Sequence, residues 1–333
     1  MPAAPSPTQE ATQGDSGILE WLAKRSIVAL LRGVEDRTRP HEKLWRYVRT
    51  APSGNASGVS SSTFKRDLKS AVEHGLVAKR GLPAQKRADK GYELRRPGRE
   101  LLEVDHVRAT WEVGVPASTR RPARRALIDL IAHPDNRKIM RALSPGGLTF
   151  TELELRSPGT GRSTLERHTR NLRRAGLVES RRVAGQREIR HELTDLARTA
   201  AALLLAASCW HGRWTPERIP GFADDLPGLL CLGAPLARVA TELEGTCRLR
   251  TDSRGKASAP HDVDLRVAAG HLTLWPIGAA QTPSAHVHGS HAAWCEALSS
   301  SDPGGLTVDG DRVLARTAIE GLAEAFRRVR MIG

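Results

Sequence analysis

The stretch Ser62-Thr63-Phe64-Lys65-Arg66, running on to Glu73-His74-Gly75-Leu76-Val77, decides how this chain is read, because it occurs twice. The second copy begins Ser163-Thr164-Leu165-Glu166-Arg167 and ends Arg174-Ala175-Gly176-Leu177-Val178. Each copy reads as a helix opened by a hydroxyl cap and stopped by a left-handed glycine, followed by a strand that soon turns basic. In the first, Ser61 or Ser62 supplies the cap and Phe64, Leu68 and Ala71-Val72 the buried face. In the second, Ser163-x-x-Glu166 reads as a capping box, as does Thr149-x-x-Glu152 for the helix before it.

Working outward from the first copy, apolar residues at helical spacing from Ile18 to Leu31 predict one helix ending near Gly33. Residues 41–50 form a short helix burying Leu44, Val48 and either Trp45 or Tyr47. Residues 51–60 are a turn, and residues 76–78 and 91–94 are strands joined by a basic loop. Residues 97–104 return to helix. Around the second copy, residues 126–132 and Ile139, Met140 and Leu143 are helical, and Ile189 to Leu193 completes a hairpin. Residues 195–210 form a long helix apolar on most faces, which needs a partner from this chain or from a second subunit.

Beyond Thr215 the composition changes. Val263, Leu265 and Val267 alternate with polar neighbours, as do Leu272 and Leu274, and the Ala-Gly between them predicts a hairpin. Further strands at 285–289 and 306–308, with helices at 292–299 and 312–329, make an α+β domain. The expected fold class is therefore mainly α with small β wings, two tandem winged helix-turn-helix domains, plus a C-terminal α+β domain. The expected boundaries are a disordered tail at 1–16, winged-helix domain 1 at 17–112, a linker at 113–122 and winged-helix domain 2 at 123–214. A second linker at 215–233 leads to an α+β sensing or interaction domain at 234–330.

Charge follows the repeat. Of 51 basic residues, 9 are lysine and 42 arginine. Residues 1–214 hold 39 basic and 23 acidic residues, whereas the remainder holds 12 and 14. A positive field confined to the repeated part suits a polyanion and supplies affinity and steering. In a helix-turn-helix followed by a β-hairpin wing, the second helix reads base edges while wing arginines reach phosphates or the minor groove. The reading-helix candidates are Ser62, Thr63, Lys65, Arg66 and Lys69, then Arg162, Ser163, Thr164, Arg167, His168 and Arg170, with Arg174 near the end. The wing candidates are Lys79, Arg80, Lys86, Arg87 and Lys90, then Arg181, Arg182, Arg187 and Arg190.

At these residues the chain resembles the HxlR/MarR-type winged-helix regulators. The resemblance runs through the reading helix, Gly-Leu-Val, a basic wing and Tyr92-Glu93-Leu94-Arg95-Arg96-Pro97-Gly98-Arg99-Glu100-Leu101-Leu102. It returns in His191-Glu192-Leu193-Thr194-Asp195-Leu196-Ala197-Arg198 and covers roughly residues 17–214. The helix ending Cys209-Trp210-His211-Gly212-Arg213-Trp214 is similar to the family's dimerisation helix, which implies a homodimer through residues 195–210. Two departures stand out. Ala197 replaces the usual glycine of the turn, so a different exit from the second wing is expected. The redox cysteine that some relatives carry near the N-terminus is absent from both copies.

The C-terminal run Ala285-His286-Val287-His288-Gly289 to Trp294, then Gly305-Leu306-Thr307-Val308-Asp309-Gly310-Asp311, resembles the end of sterol-carrier-protein-like domains. The resemblance implies a cavity for a hydrophobic small-molecule effector near Leu265, Val267, Leu274, Trp275, Trp294 and Leu298. A filled core built from the same residues is the plain alternative.

Alternation puts His286 and His288 on one strand face, but no cysteine or carboxylate pair at ligand spacing joins them, so no metal is expected. The cysteines at 209, 231, 247 and 295 fit neither a disulfide framework nor a CxxC site, and free thiols are expected. No nucleophile elbow, phosphate loop or zinc-protease motif occurs, so no catalytic residue, cofactor or enzyme activity is expected. The N-terminal residues lack a signal-peptide pattern, and the longest apolar run, 200–207, is too short to span a bilayer.

The expectation is a cytoplasmic, nucleoid-associated regulator of transcription that binds double-stranded DNA in a sequence-specific way, more a repressor than an activator, with no membrane partner. The alternative is a tandem winged-helix replication initiator or partition protein on iterated DNA repeats. The two copies allow a monomeric pseudo-dimer as well as a homodimer.

Overall fold

A computed structural model describes residues 17–50, 59–81, 90–114, 124–182, 188–214, 226–252, 261–275 and 282–331. The chain divides into two compact units, one made of residues 18–109 and the other of residues 110–333 with the N-terminal 1–17. The helix expected over 18–33 is two helices, α1 (Gly17–Ala23) and α2 (Arg25–Gly33), because Lys24 takes an extended conformation with ψ 97° between them. Then follow β1 (Arg39–Pro40), α3 (His41–Thr50), α4 (Ser61–Glu73), β2 (Val77–Gly81), β3 (Lys90–Leu94) and α5 (Arg96–Val113).

Phe64, Leu68 and Ala71 of α4 are buried, as the periodicity predicts, together with Leu44 and Val48 of α3. Burying each of the larger side chains contributes about 1.5–3 kcal/mol. The three strands pair antiparallel in the order β1-β3-β2. Asp105 is fully buried and is neutralised by Arg32 at 2.6 Å and Arg108 at 2.7 Å.

In the larger unit the same order of elements recurs. It runs α6 (Arg124–Ala132), α7 (Pro134–Leu143), β4 (Leu148–Thr149), α8 (Phe150–Arg156), α9 (Arg162–Arg174), β5 (Val178–Arg182), β6 (Ile189–Leu193) and α10 (Asp195–Trp214). From α7 onward, each element matches its counterpart from α2 onward, and the small sheet has the matching order β4-β6-β5. The predicted Thr149–Glu152 capping box is present: the Glu152 amide donates to Thr149 Oγ1, and the Thr149 amide donates to Glu152 Oε2 at 2.8 Å. This bonding also holds the Glu152 carboxyl below the usual carboxylate range.

The rest of the unit comprises α11 (Leu226–Gly233), β7 (Gly245–Thr251), β8 (His261–Ala268), β9 (His271–Trp275), β10 (Ala285–Gly289), α12 (His291–Ser300), β11 (Thr307–Gly310) and α13 (Arg312–Met331). The five strands are ordered β11-β10-β7-β8-β9, with β10 and β7 parallel and the other pairs antiparallel. The predicted hairpin closes through Ala269 (φ 48°) and Gly270 (φ 78°), the two left-handed residues that a two-residue type I′ turn requires.

Two expectations change here. Residues 226–233, within the expected second linker, form α11, whose eight residues are all buried. The apolar helix expected at a dimer interface spends its apolar faces inside its own chain: every residue from Ala200 to Ser208 is buried, and α11, α12 and α13 pack on α10. With those faces covered, nothing apolar is left on residues 200–208 for a second subunit. The helix α11 also packs against α7 and β8, so the sheet and the second copy of the repeat share one core.

Candidate nucleic-acid interface

The two copied helices end alike. Gly75 (φ 69°) and Gly176 (φ 74°) are left-handed. Leu76 N donates to Ala71 O and Leu177 N to Leu172 O, each at 2.9 Å, which is the six-to-one bond of a Schellman stop. The chain then enters β2 or β5, and the hairpin returns to bond the same leucine, Arg95 N to Leu76 O and Thr194 N to Leu177 O. This last bond corrects the expectation of a different exit at Ala197: the Thr194 hydroxyl donates to Gly176 O and accepts from Ala197 N, and the exit is kept.

Their starts differ from the sequence reading. Ser60, not Ser61 or Ser62, caps α4 by accepting from Thr63 N at 3.1 Å. The N-cap of α9 is Gly161, with no side-chain cap bond, so Ser163 and Glu166 do not form a capping box. Arg162 lies 3.7 Å from Glu166 instead. The turn between α8 and α9 passes through Gly159 at φ 81°.

On α4, Ser62, Lys65, Arg66 and Lys69 are exposed and Thr63 is half-buried, opposite Phe64 and Leu68. Asp67 is buried and accepts from Ser26 at 2.5 Å, which ties the helix to α2. On α9, Arg162, Ser163, Arg167 and Arg170 are exposed and Thr164 is half-buried, opposite Leu165 and Leu172. Arg162 also reaches Glu154 at 3.3 Å and lies 5.4 Å from the Phe150 ring centre. Arg173 and Arg174 continue the exposed face. Arg173 was missed from the sequence, although it lies one turn beyond Arg170 and favourably placed at a helix C-terminus. With Arg170, Ser180 and Thr194 these two line a groove of about 530 Å³ between α9 and β5.

His168 belongs to the other face. It is 6% exposed, and its Nδ1 lies 2.7 Å from Asn136 Oδ1. The position follows Leu165 by three residues and so points inward with it, which removes His168 from the base-reading set. Burial, then the neighbouring His133, pushes its pKa down. Asp135 works the other way and Arg167 adds to the lowering, so the ring is neutral at neutral pH.

Among the wing residues, Lys79, Arg80, Arg181 and Arg182 are exposed. Arg80 pairs with Glu93 and Arg181 with Glu179, each at 2.7 Å. Lys86, Arg87 and Arg187 lie outside the described residues, and Lys90 opens β3 opposite Gly81. Arg190 is a second correction: it is half-buried, stands opposite Thr149 in the β4–β6 pair and donates to Gly147 O at 2.9 Å. That bond holds the small sheet to the loop after α7 and leaves the side chain committed to the fold.

In the C-terminal part, Leu265, Val267, Trp294 and Leu298 are buried and Leu274 is half-buried, while Trp275 ends β9 opposite Asp264. The Trp294 indole donates to Arg250 O at 3.0 Å. The opposite sheet face is polar, with Arg248 on Asp264, Arg250 on Asp262 and His288 3.7 Å from Asp309. No disulfide joins any of the four cysteines. Among the described residues no helix is long and apolar enough to cross a membrane.

Residues 131–181 match a family model described as a helix-turn-helix domain. The match spans α7, α8, α9 and most of β5, and its last helix, α9, carries the arginine face. No curated protein matches the chain significantly. Residues 131–181 therefore form a helix-turn-helix domain within a mixed α/β fold.

Proposed function

We propose that the protein is a sequence-specific regulator of transcription that binds double-stranded DNA through two winged helix-turn-helix units in one chain, repressing by occupying promoter DNA. One observation carries the reading: on the matched helix-turn-helix, α9 presents Arg167, Arg170, Arg173 and Arg174 to solvent while its leucines are buried. Arginine is the side chain best suited to bidentate contact with guanine. The first unit supports a tandem arrangement, since its elements, sheet order and helix stop match those of the second. Two reading helices in one chain address two half-sites without a second subunit. The C-terminal part is the sensing element of this reading. A hydrophobic effector held there acts on the second unit through α11, which packs on both α7 and β8.

Selection of duplexes from a random pool, followed by titration at several salt concentrations, tests this. Arg170→Ala weakens the selected duplex by about 1–3 kcal/mol and relaxes the preference at one base position. Arg182→Ala weakens all duplexes alike and lowers the salt slope by about one. A pool that yields no preferred sequence, or an Arg170→Ala protein with unchanged preference, overturns the reading.

A further inference from the structure

Among the described residues, His133, Asp135 and His168 are the group whose metal-ligating atoms all lie within 4.8 Å of one another. His133 caps α7, Asp135 stands in that helix's first turn, and His168 comes from the inner face of α9. The sequence gives no hint of this group, because more than thirty residues separate its two halves.

The tautomer of His168 follows from its neighbours. Asn136 Nδ2 donates to Leu130 O at 2.8 Å, which turns Asn136 Oδ1 toward the imidazole. An amide oxygen only accepts, so His168 Nδ1 carries the proton and donates across 2.7 Å. The Nε2 lone pair is then directed away from Asn136, 3.8 Å from Asp135 Oδ2. A neutral histidine oriented by a protein oxygen on its far nitrogen is the usual arrangement of a metal ligand.

A tetrahedral centre with bonds of about 2.0–2.2 Å sets its ligand atoms roughly 3.3–3.6 Å apart. Closing His168 on Asp135 therefore takes a few tenths of an ångström. His133 is exposed and has room to move, at the expense of the 3.2 Å cap bond that its Nδ1 accepts from Asp135 N. A cleft of about 560 Å³, lined by these two histidines and by Leu127, Leu130, Asn171 and Arg174, gives access.

Arg167 supplies the consequence. Its Nη2 lies 3.3 Å from His168 Nε2, on the lone pair that an ion would take. We propose that His133, Asp135 and His168 bind a divalent first-row transition ion such as Zn²⁺, and that the ion displaces Arg167 from His168. Two imidazoles and one carboxylate suit such an ion and leave a fourth position for water. The guanidinium, already on the exposed arginine face of α9, is repelled by the cation and released from the His168 ring, which leaves all of its donors available to that face. Bound metal thereby tightens binding to duplex DNA, a step that rests on the function proposed above.

Two readouts on the full-length protein separate these steps. Titration with Co²⁺ is expected to give the visible absorption of a tetrahedral N/O site at one ion per chain. Affinity falls about tenfold or more in His133→Ala and in Asp135→Asn, and is unchanged in His288→Ala, which removes the separate His288–Asp309 pair. Zn²⁺ is expected to tighten binding to the selected duplex about fivefold or more in the wild type, and to have no effect in His133→Ala. Absence of the band, or a band that survives both substitutions, overturns the site. A band without a zinc effect on an otherwise bound duplex overturns the displacement of Arg167. A band in a protein that binds no duplex, with or without zinc, leaves the site standing and removes the DNA reading.

Discussion

The helices α4 and α9 finish with the same hydrogen bonds but are supported by different side chains, and the difference shows which parts of the repeat are constrained by geometry. Both stops need a left-handed residue and a leucine whose amide reaches back to the helix, and both copies have them. Where the hairpin returns, the first copy offers Arg95 and Gly98 and the second Thr194 and Ala197. A methyl group added at Gly98 would lie 2.4 Å from Leu76 O and 2.7 Å from Leu94 Cδ1. In the second copy Ala197 is fully buried at the equivalent position without disturbing the exit, with the Thr194 hydroxyl bonded on both sides of it. The same backbone path is thus reached by removing a side chain in one copy and by adding a hydroxyl in the other.

The largest effect that separates the copies should come from this position. Gly98→Ala forces Leu76 O or the start of α5 to move and costs about 1–3 kcal/mol, the range for overpacking. Ala197→Gly removes one buried methyl and loosens the first turn of α10, at about 1 kcal/mol. Amide hydrogen exchange at Leu76 and Val77, compared with Leu177 and Val178 in the full chain, reads the two copies separately. Equal loss of protection from both substitutions would show that the exits are interchangeable.

Acid should distinguish the copies next. Tyr92 and His191 hold matching places, opposite Lys79 in one hairpin and Ser180 in the other. Burial raises the pKa of Tyr92, so it stays neutral throughout the physiological range. Burial, and then Arg173, pushes the pKa of His191 below its ordinary value. The unfolded histidine, near 6.5, therefore takes up a proton that the folded one resists. This contribution to stability is fully present above about pH 6.5 and is lost as the pH falls toward the depressed value. In chelator-treated buffer the second copy should lose exchange protection between about pH 7 and pH 5, while the first changes less. His191→Tyr should flatten that slope, leaving the part due to His168, whose pKa burial also lowers. A slope unchanged by the substitution would place the acid sensitivity elsewhere.

What the sequence disclosed and withheld follows the range of the interactions. The glycine stops, the Thr149–Glu152 box and the Ala269-Gly270 turn lie within a few residues of chain, and each could be read directly. The leucines mark the buried face of α9, but a polar residue on that face, His168, declares itself only through its partner, Asn136, 32 residues away. The structural role of Arg190 is hidden from local sequence for the same reason, since its partner Gly147 is 43 residues distant. The helix α11 was missed because Leu226-Pro227-Gly228-Leu229-Leu230 has the glycine and proline of a linker. Its burial depends on α7, α10 and β8, which no local pattern names.

The smallest effect concerns how the two helices begin, and there the comparison can be reversed by design. Ser60 accepts from Thr63 N, whereas Gly161 leaves the first amides of α9 without a side-chain acceptor. Ser60→Ala should therefore cost about 1 kcal/mol in the first copy. Gly161 has φ −64° and ψ 147°, ordinary for an N-cap, and a Cβ there meets nothing within 4 Å. Gly161→Ser should then stabilise α9 by a few tenths of a kcal/mol, seen as slower exchange of the amides in its first turn. A cap without gain would mean that those amides already have another acceptor, and that the glycine in the second copy is more than a missing hydroxyl.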